Sequence, residues 1–401
     1  MRLPLILLIT IAIACVPVFS RAAPPTAPPL AQTGPMPKPI EPPTNEQIDR
    51  AVERGVEFLL KRQNKDGSWG SADSSRPDEV YAPVPGAHHA FKAAVTALCV
   101  SALIEIGGGE PSTKILEAVE RGEQWLFDNL PGVRRATPDA IYNVWTHAYG
   151  IQALTKMLAR KAGDADRAAR IRGLIDHQLD LLDRYETVSG GWAYYDFEAL
   201  TKKPSMAGFS FVTAAGLVAL YDAKQAGASI PQRLVDRGMD SIRRQRNPDY
   251  SYVYGEYLKY QPRRDINRPA GSLGRSQACN LAMRLWGDKT VSDAVLKTWL
   301  NRLFARNGWL DIGRKRPIPH EAWFGVAGYF FYYGHYYAAL CIEQLPAADR
   351  GEFQDQLAAV LLNLQEKDGS WWDYPLYDYH QQYGTAMALM ALERCRKSGG
   401  D

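Results

Sequence analysis

The sequence predicts an all-α fold, an α6/α6 toroid in which six helical hairpins close into two concentric rings. Three observations carry this. The stretch Arg54-Gly55-Val56-Glu57-Phe58-Leu59-Leu60-Lys61-Arg62-Gln63-Asn64-Lys65-Asp66-Gly67-Ser68-Trp69 has its core repeated near the other end of the chain, as Gln365-Glu366-Lys367-Asp368-Gly369-Ser370-Trp371. Aromatic anchors of the Trp69 kind recur at Trp192, Tyr252, Trp309 and Trp371, with gaps of 60, 57 and 62 residues, and 123 residues separate Trp69 from Trp192. Segments of mixed charge at helical spacing alternate with segments apolar nearly all round, and no useful run alternates at the strand period.

Taken in order, Met1-Arg2 followed by the apolar run Leu3 to Ala14 reads as a signal peptide over residues 1–23, too short to span a bilayer. Ala12-Ile13-Ala14-Cys15 offers a lipoprotein-type alternative, with lipidation at Cys15. The expectation is an exported protein: periplasmic, in the cell envelope or secreted. Residues 24–44 are dense in Pro and Ala and predict a polyproline-like tether without a core of its own.

The toroid spans residues 45–396, with a tail at 397–401. Its hairpins pair 46–63 with 89–106, 113–128 with 143–160, 166–185 with 209–224, 231–245 with 273–286, 291–305 with 322–343 and 352–365 with 380–396. The first member of each pair is amphipathic, as Val56, Phe58, Leu59 and Leu60 show, and belongs to the outer ring. The second, as in Ala93-Ala94-Val95-Thr96-Ala97-Leu98, is apolar all round and must be buried. Between the two, Asp-Gly-Ser is a turn in which Gly supplies positive φ, so Asp66 and Asp368 read as turn carboxylates. An open solenoid would need polar caps on its end units. Here the end units carry the strongest copies of the motif, which favours closure.

A net charge of +3 over 401 residues excludes an electrostatic case for nucleic acid or an anionic membrane surface, leaving lipidation at Cys15 as the expected route to a membrane. Cys99, Cys279, Cys341 and Cys395 are widely spaced among apolar neighbours and predict buried thiols rather than a metal knuckle.

The pattern Arg-Gly-x-x-Phe-Leu-x-x-x-Gln-x-x-x-Gly-x-Trp resembles the QW repeat of terpenoid cyclases of the squalene–hopene type. The same toroid builds protein prenyltransferase β subunits. The resemblance implies that Gln63, Trp69, Gln365 and Trp371 tie neighbouring outer helices together, and that a central cavity opens where the inner helices begin. It also shows what is missing. The acid motif Asp-x-Asp-Asp has no match beyond Asp164-Ala165-Asp166-Arg167, which lies between hairpins. His380 and Tyr383 match a prenyltransferase His-x-x-Tyr, but no Cys has an Asp two positions earlier, so zinc and other cofactors are not expected.

Histidines and aromatics cluster at the starts of the inner helices. From these, His147, Tyr149, His335, Tyr336, His380 and Tyr383 are candidate catalytic residues, and His88, His89, Asn143, Trp145, Arg275 and Trp323 candidate binding residues. The leading expectation is a toroid that binds a small hydrophobic molecule, a glycan or a protein segment in an aromatic cavity. The alternatives are a uronate lyase, with Tyr or His as base and Arg275, Asn143 or His neutralising the carboxylate, and a divergent terpenoid cyclase.

Overall fold

Thr44, Ser112 and Asp164 each open a helix with a side-chain cap. In the computed structural model, which describes residues 26–75, 85–108, 111–160, 163–196 and 205–397, Thr44 opens the first helix with a capping box. Its hydroxyl accepts the Gln47 N–H (3.3 Å) and the Gln47 side chain accepts the Thr44 N–H (2.9 Å). The helices are α1 (Asn45–Lys61), α2 (Pro85–Ile106), α3 (Thr113–Asn129), α4 (Asn143–Arg160), α5 (Ala165–Arg184), α6 (Ser210–Gln225) and α7 (Gln232–Arg244). They continue with α8 (Leu273–Leu285), α9 (Asp293–Ala305), α10 (Asn307–Asp311), α11 (Phe330–Glu343), α12 (Gly351–Leu362) and α13 (His380–Glu393). No strand forms among the described residues.

The apolar helices pack in the cycle α2, α4, α6, α8, α11, α13 and back to α2, which closes the inner ring. The amphipathic helices sit outside, each against the inner helix of the preceding hairpin, so that α3 packs on α2 and α1 on α13. The fold is therefore the expected all-α double ring. Gly86–Ile106 is long and apolar enough to cross a membrane, but it is an inner-ring helix with 67% of its apolar window buried.

The repeated motif is the joint between hairpins. Gln63 donates to the Ala118 carbonyl of α3 (2.8 Å) and to Gly67 (2.9 Å), and Arg121 of α3 donates back to Gln63. Gln365 makes the same bonds to Ala51 of α1 (2.8 Å) and to Gly369 (3.0 Å), and receives Arg54. Unit six thus holds unit one as unit one holds unit two. Trp69 and Trp371 are buried, each with its indole N–H on the last turn of the helix before it, at Leu59 and Leu361 (2.8 Å each). Asp66 and Asp368 accept from Ser68 and Ser370 as turn carboxylates, and Asp164 caps α5.

Three expectations are corrected. The anchor at Trp309 does not form: residues 307–311 make the extra helix α10, and Trp309 lies half out of the protein against Phe324 (5.2 Å). Helix α11 starts at Phe330 rather than 322, because Phe324 and Gly325 both take positive φ and break the helical path. The described part of the Pro-rich stretch is a docked strap, not a free tether. Ala27 and Ala31 are buried, Arg302 of α9 donates to the Leu30 (2.9 Å) and Thr33 (2.6 Å) carbonyls, and Gln356 of α12 donates to Lys38 (2.9 Å). The signal segment and Cys15 lie outside the described residues. The other four cysteines are buried thiols.

Candidate functional site

At the end of the ring where the inner helices begin, a cavity of about 330 Å³ opens. Helical period decides which side chains reach it. On α4 and the residue before it, Tyr142, Trp145 and Tyr149 stand at i, i+3 and i+7 and line the wall; on α13, His380 and Tyr383 do. Phe211 comes from α6 and Phe330 and Tyr333 from α11, while Tyr194, Tyr195, His320, Tyr329, Asp373 and Tyr374 descend from the loops above. The rings form a continuous surface, with Trp145 stacked on Tyr149 (5.8 Å) and Phe211 edge-on to Phe330 (5.0 Å).

The opposite end is tied shut by charge. Glu105 of α2 pairs with Lys156 of α4 (3.3 Å) and with Arg394, which also holds Glu343 of α11 (3.2 Å), while Gln152 holds Asp222 of α6 (2.9 Å). The cavity has a mouth and a floor.

The predicted site residues divide accordingly. Trp145, Tyr149, His380 and Tyr383 line the cavity. Asn143 and His147, on the same helix as Trp145, face the outer ring instead. His147 is buried between Asn143 (3.0 Å) and Gln178 of α5 (2.7 Å), and burial pushes its imidazole down to about 4. His335 is held between the Phe331 carbonyl (2.7 Å) and Asn307 (2.8 Å), also buried and pushed down to about 4. Tyr336 lies beside the Glu105 cluster at the closed end. His88 packs on Tyr377 (4.6 Å) and His89 against Trp125 (6.2 Å) of the outer ring. Trp323 is exposed on the rim. Arg275 is fully buried behind the wall and not on the cavity lining, and each of its three nitrogens donates to a backbone carbonyl, of Tyr252 (2.8 Å), Gly271 (2.9 Å) and Ile266. Among the described residues, no three His, Cys, Asp or Glu side chains gather as a metal site.

Two features escape a reading of the sequence. Asp373, directly after the Trp371-Trp372 pair, is buried on the cavity wall with one carboxylate oxygen accepting the Tyr332 N–H (2.9 Å). Burial lifts its carboxyl to about 7, against the lowering effect of nearby N–H groups. The second is a chain of hydroxyls. His320 Nδ1 faces the Gly325 carbonyl (2.8 Å), so it carries the proton and Nε2 accepts from Tyr329 (2.9 Å). Tyr254 then donates to Tyr329 (3.1 Å), and Tyr194 to Tyr254. Burial raises all three phenols far above their ordinary value, so they serve as hydrogen-bonding groups and not as phenolate bases.

No family model matches the sequence. Among solved structures, the chain is similar in fold to the GH76A alpha-1,6-mannanase from Salegentibacter sp. HEL1_6, at a TM-score of 0.56 and 11% identity over 87% of this chain and 100% of that one. It is similar to the cellobiose 2-epimerase from Spirochaeta thermophila DSM 6192 at 0.55 and 11%, over 88% and 98%. The type II terpene cyclase MstE from Scytonema aligns at 0.48 and 16%, over 88% and 98%, too remote to carry argument. At these identities the likeness shows the α/α toroid and leaves the chemistry to the residues in the cavity.

Proposed function

We propose that this protein binds one small, largely apolar molecule, of the isoprenoid or lipid-tail kind, in the dead-ended cavity of its toroid. The carrying observation is the lining itself: of 21 residues, 13 are Phe, Tyr or Trp, one is acidic and none is Lys or Arg. Such a wall takes up hydrocarbon by burial and ring contact, and the hydroxyls near the mouth suit a single polar head. It is ill suited to a uronate or a diphosphate, whose charge would meet no cation. A glycoside hydrolase needs two carboxyl groups across the scissile bond, and this wall supplies one.

A second reading is favoured by Asp373. It is the one acidic side chain on the aromatic wall, the position from which a divergent terpenoid cyclase would protonate an unsaturated guest. Export remains part of the proposal on the strength of the leader.

The test is binding. Native mass spectrometry of the purified protein is expected to find an apolar guest, and a long-chain isoprenoid alcohol is expected to displace it while quenching fluorescence that Trp145→Phe removes. Binding of a hydrophilic oligosaccharide, with no apolar ligand taken up, would overturn the reading. If the isoprenoid is converted, Asp373→Asn is expected to abolish turnover and keep binding.

A further inference from the structure

Exposed apolar side chains on this protein are not scattered. Six of the large ones stand in two loops on the cavity side of the ring: Tyr257 and Tyr260 in residues 256–268, and Trp309, Ile312, Ile318 and Trp323 in residues 306–325. Tyr260 is 85% exposed, Trp323 68% and Ile318 56%, so most of each side chain faces outward. The loops are neighbours. Gly325 lies against Ile266, Phe324 against Gly271, and Trp309 and Trp323 both pack on Phe324 (5.2 and 5.6 Å). The patch also reaches the mouth, because Pro319 and His320 of the second loop line the cavity.

Charge collects in the same place. Residues 256–268 hold Lys259, Arg263, Arg264 and Arg268 against Glu256 and Asp265; residues 306–325 hold Arg306, Arg314, Lys315 and Arg316 against Asp311 and Glu321. Eight basic less four acidic side chains leave four positive charges, more than the +3 of the whole chain. Counting Glu366, which pairs with Lys315 (2.5 Å), three remain. Trp and Tyr side chains with Arg and Lys around them are what the boundary between acyl chains and anionic headgroups selects.

We infer that this arc of the rim docks the toroid on an anionic lipid surface, holding the cavity mouth against the headgroups. The net charge of the chain concealed this, since acidic side chains elsewhere cancel what the two loops concentrate. Docking here needs no acyl group at Cys15. It gives an apolar guest a route from bilayer to cavity without crossing water, although the surface argument stands whatever the cavity holds.

The test uses residues 24–401, which contain the closed ring and its strap without the leader. Co-sedimentation with vesicles of phosphatidylcholine alone, and with one third phosphatidylglycerol, is expected to show partitioning to the anionic vesicles that high salt suppresses. Ile318→Ser with Trp323→Ser should lower it roughly tenfold or more. Arg263→Ser with Arg264→Ser should lower it by about fivefold for each cation removed. The exposed apolar pair Leu30→Ser with Met36→Ser, on the strap, should leave it unchanged. All of these sites are exposed, so the variants are expected to fold as the parent does. Equal binding to neutral vesicles, no binding to either, or sensitivity to the strap pair instead of the loop pairs would overturn the inference. So would a concentration-dependent dimer in ultracentrifugation that the loop pairs abolish.

Discussion

Asp373 is a carboxyl that the fold keeps protonated. The unfolded chain releases this proton near the ordinary aspartate value of about 4, whereas the folded chain holds it to about 7. Between those values the native state binds more protons than the unfolded one, so this group makes stability fall as pH rises from 4 to 7, and adds no slope beyond. Asp373→Asn keeps an oxygen for the Tyr332 N–H and cannot titrate. Relative to the parent, it is expected to gain on the order of 1–4 kcal/mol between pH 4 and pH 8, read as the difference between two denaturation curves. A constant difference across that window would show that the carboxyl is not held neutral. His147 and His335 run the other way. Their imidazoles are pushed down to about 4, so their contribution is complete above the unfolded value of about 6.5 and is lost as pH falls toward 4. Between about pH 4 and 6.5 the two histidines outweigh the one carboxyl, so the parent should gain stability up to about pH 6.5 and lose a little from there to about 7; Asp373→Asn should steepen the acid limb and remove the alkaline fall.

At the scale of the element, the joint between hairpins sets the cost of error. Gly369 has φ +90°, and a Cβ there would collide with the Arg54 carbonyl of the next outer helix; Gly67 stands in the same way against Arg121. Gly369→Ala is thus expected to cost roughly 2–4 kcal/mol, by strain and by displacement of α1. Gln365→Ala, which removes two hydrogen bonds and the acceptor for Arg54, should cost about 1–3 kcal/mol. Calorimetry that found Gly369→Ala no worse than an exposed substitution would sink this account. These joints were legible in the sequence because turn chemistry is local: Asp-Gly-Ser-Trp needs positive φ at Gly wherever it folds. The start of α11 was not, because Phe324 adopts positive φ under tertiary contact with α10 and nothing in the residue type announces it. The cavity was legible only in part. A spacing of four pairs Trp145 with Tyr149 and Asn143 with His147, and the offset of two between the pairs turns them to different faces of α4, but burial of one carboxyl among many is a tertiary fact, and Asp373 reads locally like any turn aspartate.

For the whole molecule, closure implies that the ring has no privileged beginning. Asn45 and Lys397 bond to each other at both ends of their meeting, the Asn45 side chain donating to the Lys397 carbonyl and accepting its N–H (3.2 Å each). Unit six grips unit one with the same Gln and Arg that join units one and two. A solenoid would behave otherwise, since its end repeats bury less and need caps. A permutant that joins Lys397 to Asn45 through a short Gly/Ser linker is expected to fold. It should open between Ala228 and Ser229, beyond the Ala228 N–H bond to Ala223 (2.9 Å) that terminates α6. Measured against a linear chain of residues 45–397, it should unfold in one cooperative transition within a few degrees and take up the same apolar ligand. A permutant that melts early or binds hydrophobic dyes at low temperature would show that α1 and α13 meet as ends and not as neighbours. Because the strap is absent from both chains, its bonds to Arg302 and Gln356 cannot account for a difference, and the comparison isolates the joint between the first and last hairpins.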